Sequence, residues 1–258
     1  MVDSLTQTTL ALDLGNTALK YGLFGPEGAR ESGVLTIPTQ LAVLWQRARP
    51  RQAILSSVAD EAATQPWLAE LAAVDGLAQV LPFRPGFTPV PLHNAYATPH
   101  TLGPDRLAGA VGAASQYPGQ DVLIIDAGTA LKLDLVTADG TYHGGSIAPG
   151  LRMRLQALHT FTGRLPLVEL PPATELVQLI GSSTASSLLS GVVGGTAAEV
   201  RGRVAEYQQR YPNLTVVLTG GDAPYLTAAL TPLAGRIFAV PELVLLGLDK
   251  ILRYNVDN

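Results

Sequence analysis

The stretch Leu10–Phe24, "LALDLGNTALKYGLF", decides the fold. It runs from apolar residues through Asp13 into a short polar turn and out into a second apolar run. Residues 8–14 read as a buried strand and 20–24 as its partner, joined by a hairpin turn at Gly15-Asn16-Thr17. The pattern returns at 123–136, "LIIDAGTALKLDLV", and the four letters "TALK" occur at 17–20 and again at 129–132. A chain that writes the same turn twice, each time after Asp-x-Gly, reads as two related halves.

Such a turn has a definite chemistry. Its backbone N–H groups can cradle phosphate oxygens without adding net charge. Asn16, Thr17 and Thr129 add short side-chain donors, and Lys20 adds a point charge. Asp13 and Asp126, at the strand ends, can hold a cation directly or through water. Taken singly, either turn is equally an ordinary hairpin. A third feature adds weight: "TGG" at 219–221 follows an apolar strand and precedes a helix starting near Asp222, a place where anions bind.

Between these landmarks, strands alternate with helices. Residues 53–58 read as a strand, 59–74 as a helix capped by Asp60, and 78–83 as a strand. The Pro-rich passage 84–104 excludes regular helix or central strand, and its length suggests a functional loop. A helix follows from Asp105, its Ala and Gly content suited to close packing. After the second hairpin come a third antiparallel strand from Thr141, an amphipathic segment at 151–161, and a long helical stretch at 183–209. Gly191, Gly194 and Gly195 should kink that stretch. "LVLLGLDKILRY" closes the chain as an apolar helix. The expectation is an α/β protein with domains at 1–115 and 116–258.

Composition narrows the function. The 258 residues are 47% hydrophobic and 15% charged, enough for one or two packed cores. A net charge of -4 gives no basic surface for nucleic acid. No cysteine is present, so thiolate catalysis, disulfides and Cys-ligated metals are excluded. The N-terminal sequence lacks the pattern of a secretory signal, and no apolar run reaches membrane-spanning length. A cytoplasmic protein with no membrane partner is expected. His93, His100, His143 and His159 lack metal-ligand spacing and are read as non-catalytic, His143 and His159 as structural or surface residues.

The segments "LDLGNTALKYGLF", "LHNAYATPHTLGPDRLAGAVGA", "IIDAGTALKLDLVTADGTYHGGSIAPGLRMRLQALHTFTGRLP", "IGSSTASSLLSG" and "LTGGDA" together resemble the actin-like ATPase and sugar kinase superfamily. Within it they are similar to the type III pantothenate kinases. The resemblance implies duplicated actin-like (ribonuclease H-like) domains, mixed sheets flanked by helices, and a nucleotide cleft between them. It implies transfer of the ATP γ-phosphoryl group to pantothenate, giving 4′-phosphopantothenate, the first step of coenzyme A biosynthesis. It further implies Mg²⁺, a monovalent cation (K⁺ or NH₄⁺), and a homodimer with its active sites at the interface.

Roles carry over residue by residue. Asp13, Gly15, Asn16, Thr17 and Lys20 match the first phosphate loop, with Asp13 toward Mg²⁺. Gly103, Pro104, Asp105 and Arg106 match the family's Gly-x-Asp-Arg, with Asp105 as general base and Arg106 holding the pantothenate carboxylate or orienting the substrate. Asp105 reads equally as a helix N-cap. Tyr96 matches a pantothenate-contacting Tyr, Thr129 an ATP-contacting hydroxyl, and Asp126 the monovalent-cation ligand. Thr184 matches a Thr that reaches the substrate from the partner subunit, although it too stands where a helix N-cap would.

One position departs from the pattern. Lys132 stands where family members often carry a hydroxyl, and its direction is not readable across a turn. It is a solvent-facing strand lysine, or its ammonium takes part of the monovalent cation's role. Two other functions remain open: a kinase of another small hydroxylated substrate, and a non-catalytic or regulatory homologue of the transcription-accessory type. The presence of Asp13, Asp105 and Asp126 favours retained chemistry.

Overall fold

The computed structural model describes residues 8–15, 18–74, 80–230 and 236–257. They form two compact units. One takes the chain up to Pro118, with 140–142 and 242–258; the other takes 119–139 and 143–241. The sequence expectation of a single division at 115/116 differs mainly in the C-terminal helix, which belongs with the first unit.

In the first unit, β1 (Thr9–Leu14) pairs antiparallel with β2 (Leu19–Gly25) and parallel with β4 (Gln52–Ser57). β3 (Gly28–Leu35) adds an antiparallel edge beside β2, and β5 (Val80–Pro82) a parallel edge beside β4. The order is β3-β2-β1-β4-β5. All residues of β1 are buried, as a central strand covered on both faces requires. Leu10, Leu12, Leu14, Leu19 and Leu55 share a core with Leu41, Leu44 and Trp45 of α1 (Thr39–Ala48) and Trp67 and Leu71 of α2 (Glu61–Ala73). Asp60 caps α2 as expected, accepting the Ala63 N–H at 2.8 Å.

The sequence pattern assigns nothing between residues 25 and 52, yet β3 and α1 lie there. β3 is an edge strand whose exposed residues break the apolar run, so only its position beside β2 identifies it. Glu31 ties it down: its carboxylate accepts the Tyr21 hydroxyl at 2.6 Å and the Arg47 guanidinium at 2.6 Å. Those two donors, Arg47 first, hold the Glu31 carboxyl below the usual carboxylate range.

Two helices complete this unit. α3 (Pro104–Gln116) meets α8 (Leu243–Asp257), whose Asp249 accepts the Thr9 hydroxyl of β1 and the Arg253 Nε–H at 2.8 Å. The approach of α3 to α8 depends on glycine. A Cβ on Gly247 would stand 1.7 Å from the Ala108 carbonyl oxygen, and one on Gly112 2.4 Å from that of Leu243. Gly247→Ala should therefore force the helices apart at a cost of about 1–3 kcal/mol. Thermal unfolding should show Tm lowered by roughly 2–12 °C; an unchanged Tm would mean the contact yields freely.

The second unit repeats the plan. β7 (Val122–Ala127) pairs antiparallel with β8 (Ala130–Val136) and parallel with β10 (Thr215–Thr219), which pairs parallel with β11 (Arg236–Ala239). β9 (Thr141–Pro149) lies beyond β8; its first residues, Thr141 and Tyr142, group with the first unit, where they pair with the two-residue β6 (His93–Asn94). The order β9-β8-β7-β10-β11 reproduces β3-β2-β1-β4-β5 position for position. The duplicated α/β fold inferred from the repeated turn is thus present in the strand order itself. Leu123, Ile125, Leu133 and Leu218 pack with Val200 and Val204 of α6 (Gly195–Arg210) and Leu226 of α7 (Ala223–Leu230).

A smaller core joins Leu151 and Leu155 of α4 (Leu151–Thr160) to Leu188 of α5 (Thr184–Leu189) and Val192. Between α5 and α6, Ser190–Gly194 is π-helical. The kink expected from Gly191, Gly194 and Gly195 takes that form, a local widening rather than a break.

Candidate active site

The first turn closes where β1 ends. The Gly15 N–H donates to the Ala18 carbonyl at 3.1 Å, and Asp13 stands opposite Lys20 on β2 and Ser56 on β4. Asp13 is 9% exposed, whereas Lys20 is exposed. Asn16 and Thr17 lie outside the described residues.

The Pro-rich passage is irregular except for β6 and a 3₁₀ turn at Pro99–Thr101, in keeping with its prolines. Asn94 accepts the Tyr96 N–H at 3.0 Å, and the Ala95 N–H donates to the Tyr142 carbonyl at 3.0 Å. Tyr96 therefore sits 6.2 Å, ring to ring, from fully buried Tyr142. The Arg106 guanidinium lies 5.6 Å from the Tyr96 ring centroid, within cation–π reach, and Arg106 is buried.

Asp105 occupies the first turn of α3, where the helix N-terminus favours an anion. The N-cap position is Gly103. A Cβ on Gly103 would come 2.6 Å from Asp105 Oδ1, so the carboxylate folds back over the glycine. The sequence alternative of Asp105 as N-cap is replaced by this arrangement. Tyr96, Gly103, Pro104, Asp105 and Arg106, chosen from sequence, come together as one group within the first unit.

In the second unit, the Gly128 N–H donates to the Ala130 carbonyl at 3.2 Å, and Gly150 donates to the Thr129 carbonyl at 3.0 Å. The turn at Gly220 folds against it. Gly220 has φ +91, a Cβ there would stand 2.3 Å from the Ala127 carbonyl oxygen, and the Asp222 N–H donates to that oxygen at 2.8 Å. The two glycine turns singled out from sequence in this half are therefore in contact.

Two contacts here give no sequence signal. Asp222 is buried and accepts from Arg152. Thr196 is 1% exposed, its hydroxyl has no hydrogen-bond partner among the described residues, and it lines a cavity with Gly128, Gly150, Asp222 and Leu226. The cavity has room for about one water.

Lys132 does not face solvent. It stands opposite Asp126 across the hairpin, with Nζ 2.7 Å from Asp126 Oδ2. Thr184 is exposed at the start of α5, and the N-cap is Ser183, which forms a capping box with Ser186. Thr184 is therefore not spent on capping. His143 Nε2 lies 2.8 Å from the Thr137 hydroxyl and His159 Nδ1 2.8 Å from the Leu165 carbonyl oxygen, both local structural bonds.

Comparison with known proteins adds a family to this geometry. Residues 9–206 match the family model for type III pantothenate kinase. A protein of that description from Bacteroides fragilis is 41% identical over 252 residues, covering 95% of this chain and 98% of the relative. One from Cytophaga hutchinsonii is 37% identical, covering 96% and 99%. One from Christiangramia forsetii is 48% identical over 64% of this chain and 66% of the relative. Among solved structures, the ROK hexokinase of Thermus thermophilus matches at TM-score 0.53 and 18% identity, covering 97% of this chain and 100% of that one. A chain of the PilM–PilN type IV pilus biogenesis complex matches at TM-score 0.53 and 12% identity, covering 95% and 98%. The structural likenesses establish the actin-like ATPase and sugar kinase fold alone, since one fold hosts many functions.

Proposed function

The chain belongs to the type III pantothenate kinase family, and on that premise we propose how its residues move the ATP γ-phosphoryl group to pantothenate. The enzyme forms 4′-phosphopantothenate. The pantothenate primary hydroxyl oxygen bonds to the γ-phosphorus, the bond from that phosphorus to the β–γ bridging oxygen breaks, and ADP leaves with the electron pair. Asp105 accepts the hydroxyl proton. Positioning and charge stabilisation do most of the work in such a transfer.

The observation that carries the reading is the group at the start of α3: Asp105 folded over Gly103, beside a buried Arg106 lying near the Tyr96 ring. A primary alcohol needs a positioned base, and Asp105 supplies one. Arg106 meets the pantothenate carboxylate, for which its planar fork is suited, while Tyr96 walls the substrate. The turn at Gly15, with Asn16, Thr17 and Lys20, and the turn at Gly128, with Thr129, are each of a kind whose N–H and side-chain donors suit phosphate oxygens. Asp13 would hold the divalent ion, directly or through water. When bound, Mg²⁺ neutralises charge on the β- and γ-phosphates.

The enzyme acts as a cytoplasmic homodimer. Phe161, Leu176, Leu179 and Ile180 are between 80% and 91% exposed, apolar side chains that a second copy would cover. Thr184 follows that surface in the chain and reaches pantothenate in the partner's site. Thr184→Ala should raise the pantothenate KM. Mixed with inactive Asp105→Asn, it should regain activity through hybrid dimers; no regain on subunit exchange would refute the shared site.

The direct test is incubation of the protein with Mg-ATP and pantothenate, with mass spectrometry for phosphopantothenate. A folded protein that makes none would point to another hydroxylated acceptor or to a non-catalytic homologue, readings that the family match does not favour.

A further inference from the structure

The geometry points to Lys132 as a built-in replacement for the monovalent cation: its ammonium, fixed on Asp126, supplies the charge that K⁺ or NH₄⁺ would otherwise bring to the second phosphate turn. This rests on the kinase reading above.

The carboxylate of Asp126 is enclosed. Oδ2 lies 2.7 Å from Lys132 Nζ, while a Cβ on Gly220 would stand 2.6 Å, and one on Gly128 3.6 Å, from Oδ1. The side chains of Lys132 and Asp126 are 15% and 21% exposed, so water reaches the pair from a limited side. A cation seated on Asp126 would have to displace the ammonium. The residues present therefore do not fit an exchangeable monovalent ion at Asp126. A lysine head there is itself an alkylammonium, a tethered equivalent of NH₄⁺ with the same charge.

The repeated sequence provides an internal comparison. Lys20 stands opposite Asp13 in the first hairpin as Lys132 stands opposite Asp126 in the second. Yet Lys20 is exposed and Lys132 is not. The shared letters thus do not dictate where the lysine head lies. The second loop is shorter by one residue between Asp and Lys, and there the head is drawn onto the carboxylate beside the Gly128 turn. A cation held at that place by the protein requires no reorganisation as charge shifts during transfer.

Lys132 is a positioning and electrostatic residue, and ion dependence tests it. The unmodified enzyme should turn over Mg-ATP and pantothenate equally, within about twofold, in K⁺, NH₄⁺ or choline salts of equal ionic strength. Lys132→Thr should lose roughly 10²-fold in choline, the scale of one lost charge-stabilising donor. Saturable rescue by K⁺ or NH₄⁺, but not by choline, should follow. A purely structural defect would not respond to the ion. Calorimetric titration with Mg-ATP provides a second readout: affinity should be indifferent to K⁺ in the unmodified protein and K⁺-dependent in the variant. If Lys132→Thr melts early, Lys132→Gln and the unmodified protein carry the comparison. A K⁺ requirement in the unmodified enzyme, or a variant fully active in choline, overturns the proposal. Absence of phosphopantothenate in every buffer would instead overturn the kinase reading, and the titrations would still decide for or against Lys132.

Discussion

Replacing Asp105 by Asn should lower kcat roughly 10²–10⁴-fold, the usual contribution of a general base. The substitution keeps the shape of the side chain and removes only its capacity to take the hydroxyl proton. Arg106 and Tyr96 are untouched, so KM for pantothenate should stay within a few-fold. Loss of a negative charge from the first turn of α3 costs about 0.3–1 kcal/mol. Thermal unfolding should register that as no more than roughly 4 °C. Steady-state kinetics beside a melting curve separate the outcomes: near-normal kcat would remove Asp105 from the base role, and a collapsed Tm would make it a structural anion.

Gly103→Ala should give a different signature: kcat reduced about 10²-fold in a protein as stable as the parent. Gly103 has φ -59 and ψ 127, a conformation that alanine adopts without strain. The smaller entropy of the unfolded chain even favours the variant by about 0.4–1 kcal/mol. The new methyl group, however, would stand 2.6 Å from Asp105 Oδ1. That oxygen ends a flexible side chain, so the carboxylate rotates away and the backbone stays. A base displaced by an ångström loses most of its advantage. Unchanged kcat would show that the base works from another rotamer. A fall in kcat together with a fall in Tm would show that the helix start itself had moved.

The two hairpins were legible because a strand, a glycine turn and a returning strand are local features, each announced within a dozen letters. The duplication was legible for the same reason, since both copies kept Asp, Gly and the run to Lys. What escaped depends on distance. β3 is an edge strand recognisable only beside β2, and α8 belongs with β1 and α3 because of Gly112 and Gly247, far apart in sequence. The group around Asp105 was named through a family pattern; spacing alone suggested a helix cap there. The direction of Lys132 was not legible because register alone does not set it: Lys20 stands opposite Asp13 in the same way and is exposed, whereas Lys132 pairs with Asp126. Thr196, and the pairing of Arg152 with Asp222, matter through neighbours that no motif encodes.

The return of α8 to the first unit has a consequence for biosynthesis. Thr9, among the first described residues to leave the ribosome, finds its partner Asp249 only after 240 further residues have been added. At about 5–20 residues per second the wait is on the order of ten to fifty seconds. Until then the face of α3 at Ala108 lacks the helix that packs on it in the finished fold. The unit begun first is therefore not closed until α8, made after the whole of the second unit, has arrived.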